Sequence, residues 1–286
     1  MTGCVIHNRQ HFWLIILNKM LIAFSQYPRE RKGIFGLILC SLLFVFLQDN
    51  AQADLVSIIK KVKPAVVGLG LYKRTRVPPA VVLATGFVVA DGLHVITNEH
   101  VVSRLPEDMD ISDLVIFTGH GKQAHVRKVK LLEVDKVHDL AILKVSGKPM
   151  PTFELGNSET IEEGTPIAFT GYPIGAILGL YPATHSGIVA AMPPYIIPVD
   201  HASRLDAAII ASLRNPFRVF QLDAVSYPGN SGSAVYEQSS GRVIAVVSSG
   251  FVIKARKSTQ INPGLITFAI PVKHVKQLMK SAGLKE

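Results

Sequence analysis

Apolar and polar positions along this chain change over in short runs, and a helical period replaces that pattern in only two places. The runs "AVVLATGFVVA" (80–90) and "LHVIT" (93–97) flank Asp91-Gly92, a pair that predicts a two-residue hairpin turn. Further runs predict strands at 114–118, 124–134, 140–145, 165–170, 185–191, 219–225, 242–249 and 265–270. Clusters of Gly, Pro and Asn separate them, so the spacing predicts an all-β sandwich or barrel. Helix is predicted at 55–61 and at 272–283, where Val272, Val275, Leu278 and Met279 share one face. No long linker and no fixed-period repeat interrupts the series, so no additional module is expected.

The first fifty positions follow a different rule, and they inflate the 48% hydrophobic content of the 286 residues. Arg29, Arg31 and Lys32 precede "GIFGLILCSLLFVFL" (33–47), and "AQA" follows at 51–53. A basic n-region, an apolar h-region and an A-x-A site describe a secretory signal. The apolar run also falls short of the roughly 20 residues that span a bilayer. Cleavage is therefore expected after Ala53, leaving a mature chain from Asp54 that is periplasmic or secreted and not stably inserted in a membrane. The alternative is an uncleaved leader that tethers it there. A second apolar run at 12–24, broken by Asn18 and Lys19, makes Met20 a candidate for the true start.

Both cysteines, Cys4 and Cys40, lie in this leader, so no disulfide is expected in the mature chain. Leu39 stands before Cys40 where a lipid-anchor site would have a small residue. About 230 residues suffice for a sizeable core without cross-links. The net charge of +9 leaves 25 Lys/Arg against 19 Asp/Glu, or +6, in 54–286. These charges are scattered rather than gathered into a basic stripe on a known module, which argues against nucleic-acid binding.

Three stretches carry chemistry. In "VITNEHVV" (95–102) His100 follows a strand and a turn; in "VHDLAILKV" (137–145) Asp139 opens a strand; in "YPGNSGSAV" (227–235) Ser231 sits among turn residues. A serine hydroxyl is a weak nucleophile that needs a histidine to take its proton, and the histidine needs a carboxylate to hold its tautomer. Each residue alone has a plain alternative, as a surface histidine, a loop cap or a turn former. Together, in the order His, Asp, Ser, they fit one of the convergent versions of that arrangement.

The surroundings match too. "ATGFVVADGLHVITNEHVV" (84–102), "HDLAILKV" (138–145), "THSGIVAA" (184–191), "YPGNSGSAVYEQSSGRVIAVV" (227–247) and "LITFAIPVKHV" (265–275) resemble trypsin-like serine proteases of the HtrA/Deg type, as does "SIIKKVKPAVVGLGL" (57–71). The resemblance covers nearly all of 54–284. It implies two packed antiparallel β-barrels, about 64–155 and 156–271, with a C-terminal helix at 272–283. It makes His100 the general base, Asp139 its orienting carboxylate and Ser231 the nucleophile. The backbone N–H groups of Gly229 and Ser231 become the oxyanion hole, and Ser226, Gly250 and Phe251 become walls of the substrate pocket.

The implied activity is an exported serine endopeptidase acting on proteins or peptides through an acyl-enzyme, with no metal and no cofactor. No acidic residue appears among the three pocket positions, which favours small or medium apolar side chains over Arg or Lys before the cut bond. The oligomeric state is left open. Neutral Asn230 precedes the nucleophile where digestive relatives carry an acid, so competence is expected without a cut at a particular N-terminus. Ser233 stands where the family usually has glycine, Glu99 where Asn is common and Thr85 where Ser is frequent. The chain ends soon after the last helix, so the PDZ domain usual in that family is not expected. The stretch 192–217 is long enough to be an insertion beside the cleft or an ordinary surface loop.

Other classes fit less well. An α/β-hydrolase wants Gly-x-Ser-x-Gly before a helix, whereas Ser233 breaks the motif and the residues from Val235 look extended. His120, His125 and His138 lack the spacing of a zinc site and are expected as scattered solvent histidines. The remaining alternative is a catalytically idle protease fold that serves as a binding or chaperone protein.

Overall fold

The computed structural model describes residues 54–103, 105, 110–119, 121, 125–173, 180–195, 216–248 and 267–286. Asp54 caps the first helix, α1 (Leu55–Val62), by accepting from Val56 N at 3.2 Å. Pro64, in the 3₁₀ turn Lys63–Ala65, then ends it. Ile58 and Val62 are the buried stripe of α1.

Six strands follow: β1 (Val66–Tyr72), β2 (Ala80–Val89), β3 (His94–Thr97), β4 (Leu114–Thr118), β5 (His125–Asp135) and β6 (Leu140–Val145). They close into an antiparallel barrel in the order β1-β2-β3-β6-β5-β4. A second closed barrel has the order β10-β11-β12-β9-β8-β7. Its strands are β7 (Pro166–Gly171), β8 (Ala183–Ala191), β9 (Phe220–Leu222), β10 (Ala234–Glu237), β11 (Val243–Ser248) and β12 (Thr267–Pro271). A short helix, α2 (Glu99–Ser103), follows β3, and α3 (Val272–Ser281) ends the fold. The all-β architecture of two barrels with a C-terminal helix is thus the observed one.

Several details differ from the sequence pattern. The hairpin between β2 and β3 pairs Val89 with His94, so its loop is the four residues 90–93 rather than Asp91-Gly92 alone. Ala90 and Gly92 take positive φ of 55° and 80°, and Asp91 Oδ1 accepts from Leu93 N at 2.9 Å, which spreads the reversal over four residues. The strand expected at 219–225 stops at Leu222, because Ser226 N turns to Thr267 Oγ1 at 3.0 Å.

The main apolar core runs from the first barrel through α3 into the second, joining Phe87, Ile96 and Leu143 to Tyr236, Val246, Val275 and Met279. Phe153, in the connection between barrels, packs edge-on against Phe87 at 5.7 Å and lies 5.9 Å from Tyr236. Its N–H donates to Val88 O at 2.9 Å, so backbone and ring together tie the connection to β2. Phe87 is fully buried at this junction, and Phe87→Ala is expected to lower unfolding stability by about 3–5 kcal/mol. Denaturant titration checks this; a loss below about 1 kcal/mol would show that the junction carries little of the fold.

Candidate functional site

β3 runs into α2, and that junction fixes His100. Thr97 Oγ1 donates to Thr85 O at 2.9 Å, and Val101 and Val102 bury the inner face of the short helix. His100 is thereby presented toward the turn between β5 and β6, where Asp139 has a positive φ of 51°. An L-residue rarely holds that conformation unless its surroundings impose it. Asn98 Nδ2 donates to Asp139 O at 3.0 Å, which is one such constraint.

The Asp139 carboxylate meets three donors. His100 N lies 2.9 Å from Oδ1, His100 Nδ1 lies 2.9 and 2.8 Å from the two oxygens, and Ser248 Oγ donates to Oδ2 at 2.8 Å. A carboxylate only accepts, so Nδ1 carries the proton and Nε2 is left as the acceptor. Ser248 ends β11, so one side chain of the second barrel holds the carboxylate of the first. Half-buried Tyr195 feels this charge as well: desolvation first, and then the Asp139 charge, push its phenol well above the usual tyrosine range.

Ser231 comes from the loop before β10. Tyr227, Pro228, Gly229 and Asn230 form a turn closed by Asn230 N donating to Tyr227 O at 2.9 Å, with φ 100° at Gly229. Pro at the second position and glycine at the third are what a type II turn requires. Thr85 of β2 anchors both sides of it: Thr85 N donates to Ser231 O at 2.9 Å and Thr85 Oγ1 donates to Gly229 O at 2.7 Å. Tyr172 N in turn donates to Thr85 Oγ1 at 2.9 Å. Gly232 has φ 84°, and a side chain there would run into Thr97 Oγ1 and the Thr85 carbonyl. The Ser231 loop of the second barrel is therefore docked on β2 of the first. Among the described residues the hydrogen bonds of His100 run to Asp139, and none reaches Ser231. Such a bond is often loose in the absence of substrate.

Of the sequence-derived site residues, His100 and Asp139 are in direct contact, and Gly229 and Ser231 share one loop. Ser226 is buried beside β12, while Gly250 and Phe251 lie outside the described residues. Ser233 keeps an ordinary negative-φ backbone and is fully buried, its carbonyl accepting from Val247 N at 2.9 Å. Asn230 is also fully buried, and among the described residues its side-chain amide has no hydrogen-bond partner. Sequence reasoning missed Ser248 and Asn98. Asn98 had a signal, as a polar residue between a strand and His100; Ser248 had none.

The solvent-histidine expectation fails at His138, which faces Asp135 Oδ2 at 2.6 Å and stacks on His274 of α3. Burial, and then the neighbouring His138, hold His274 well below the usual imidazole range, at about 4; Lys273 acts in the same sense, and Gln277 and Asp135 oppose it. Unfolded histidine takes its proton near 6.5, so the unfolded chain binds it first as pH falls. The contribution of neutral His274 to stability is therefore full above about pH 6.5 and is lost on the way down to about 4. The melting temperature is expected to fall more between pH 7 and 5 in the parent than in His274→Phe; equal falls would remove this assignment.

The resemblance to known proteins follows the same geometry. Residues 84–246 match the family described as "Trypsin-like peptidase domain". A "Serine protease HtrA-like" from Staphylococcus epidermidis is 29% identical over 195 residues, 67% of this chain and 29% of that one. A "Probable periplasmic serine endoprotease DegP-like" from Halomonas elongata is 28% identical over 190 residues, 66% of this chain and 33% of that one. The chain thus spans a third or less of those relatives. In structure it is similar to the serine endoprotease from Yersinia pestis, with a TM-score of 0.56, 20% identity, and coverage of 80% of this chain and 66% of that one. It is also similar to Deg5, with a TM-score of 0.54, 22% identity, and coverage of 78% and 90%. With two closed barrels, a His100–Asp139 pair on one and a docked serine loop on the other, and a family match over more than half its length, the chain belongs to the trypsin-like peptidase family.

Proposed function

We propose that this chain is an exported serine endopeptidase that cuts protein or peptide substrates through a covalent acyl-enzyme. The observation that carries the reading is the Asp139 carboxylate, fixed by Ser248 of the second barrel and by His100 N, with Nδ1 of the same histidine against it. That leaves His100 Nε2 as the base.

The steps follow from these groups. Ser231 Oγ attacks the scissile carbonyl carbon while its proton passes to His100 Nε2, and Asp139 stabilises the resulting imidazolium. The carbonyl oxygen takes up the electron pair and is met by the N–H groups of Gly229 and Ser231, whose turn is held from behind by Thr85. Collapse of the intermediate expels the amine, which leaves with the proton from His100. Water then attacks the acyl group, giving its proton to His100, and the acid product departs as Ser231 Oγ is reprotonated. No step calls for a metal or cofactor.

Export rests on the leader at 1–53, which lies outside the described residues. Among the described residues no helix is long and apolar enough to cross a membrane.

The test is incubation of the chain from Asp54 onward with a mixed-sequence peptide library, with the products identified by mass. New internal termini that are absent with Ser231→Ala are the expected result. An intact library in the presence of folded protein would count against the reading and favour an idle site.

A further inference from the structure

The turn that delivers Asp139 carries more side-chain contacts than a connecting loop needs. Asp135 closes β5 and accepts from Val137 N and His138 N, both at 3.0 Å, while His138 Nδ1 lies 2.6 Å from its other oxygen. The His138 ring lies almost flat on that of His274, with centroids 3.8 Å apart and planes 19° from parallel. Phe217 meets both rings nearly edge-on, at 4.7 and 5.1 Å. A carboxylate, an imidazole and a phenyl ring thus fix His138 on three sides. The next residue is Asp139, in its left-handed conformation.

His274 sits in the first turn of α3 and is only 5% exposed. Its Nδ1 lies 3.2 Å from Gln277 Oε1, and among the described residues its Nε2 has no hydrogen-bond partner. Burying an unpaired ring nitrogen is unfavourable, so plain packing would be served better by an apolar side chain. What an imidazole provides here is a flat, neutral face under a second imidazole whose Nδ1 is bound to a carboxylate.

We propose that His138 and His274 are positioning residues for the catalytic pair: their stack ties the residue before Asp139 to the C-terminal helix and so sets where the Asp139 carboxylate meets His100. This rests on the reading of Ser231, His100 and Asp139 as a triad. Neither ring touches the reacting atoms. Their effect passes through one backbone bond to Asp139, whose displacement by about 1 Å is enough to cost on the order of 100-fold in rate. The C-terminal helix then has a catalytic consequence, since any shift of α3 at His274 moves the base of the turn.

The experiment compares His274→Ala, which removes the platform, with His274→Phe, which keeps a flat ring, in the chain from Asp54 onward. Two readouts are taken: the rate of Ser231 modification by a fluorophosphonate probe, and the downfield proton NMR signal of the hydrogen bond between His100 Nδ1 and Asp139. His274→Ala is expected to slow modification by about 10- to 100-fold and to broaden or abolish the proton signal. His274→Phe is expected to restore both. Parental behaviour of a folded His274→Ala, or a loss that Phe does not restore, would overturn the proposal.

If His274→Ala does not fold, His138→Ala removes the stack from its outer side and decides in the same way. A parent that is not modified at all would defeat the triad reading instead. The positioning role would then be judged on the proton signal, supported by its loss in Ala and retention in Phe and overturned by its persistence in both.

Discussion

Ser231→Ala is expected to lower kcat on any cleaved peptide by about 10⁶-fold while leaving KM within a few-fold of the parent. The substitution removes the hydroxyl proposed to form the covalent bond, but it leaves the Gly229 turn, the Thr85 anchors and the backbone N–H groups in place. Substrate binding should therefore persist, and so should a small residual rate over water from the oxyanion donors. Steady-state kinetics with mass-identified products is the check. A fall of less than about tenfold would place the nucleophile elsewhere.

Asp139→Asn should cost about 10⁴-fold in kcat. In the parent the two carboxylate oxygens serve three donors: His100 N, His100 Nδ1–H and Ser248 Oγ–H. An asparagine has one oxygen and one NH₂ group, so one of its atoms must present hydrogens where an acceptor is needed. If the NH₂ faces His100 Nδ1, the ring is driven to the tautomer with its proton on Nε2, and the base is blocked. If the oxygen faces it, the NH₂ confronts Ser248 Oγ, whose own proton can rotate away. The imidazolium formed during the reaction also loses its counter-charge in either case. Melting temperature should change little compared with kcat. A near-parental kcat would mean that Asp139 orients nothing.

Much of this site was legible from sequence because its signals are local. The Pro228-Gly229 turn, His100 just after a strand and turn, and Asp139 at the head of an apolar strand are each short-range patterns that their elements require. β1 was harder to see as a strand. Val66 to Leu71 are all buried, so no alternation marks it, and Gly68 and Gly70 dilute its β-forming residues. Gly70 has a structural reason: a side chain there would run into the backbone of Val81 on the neighbouring strand β2.

The contacts that complete the site are long-range. Ser248 and Asp139 are 109 positions apart and meet only because two barrels pack face to face. His138 and His274 lie far apart along the chain, and only the return of α3 to the first barrel stacks them. No spacing rule anticipates such pairs, which is why His138 read as a surface histidine. The pocket positions Gly250 and Phe251 fall outside the described residues, so the specificity expectation keeps its sequence basis alone.

The most direct measurement of the central claim is covalent modification of the chain from Asp54 onward by a fluorophosphonate probe, with the adduct located by peptide mass spectrometry. The probe reports an activated hydroxyl without any knowledge of the substrate. The expected result is a single adduct on Ser231, absent in Ser231→Ala and strongly slowed in Asp139→Asn. A folded parent chain that takes up no probe, or that carries it on another residue, would contradict the assignment of Ser231 as a competent nucleophile.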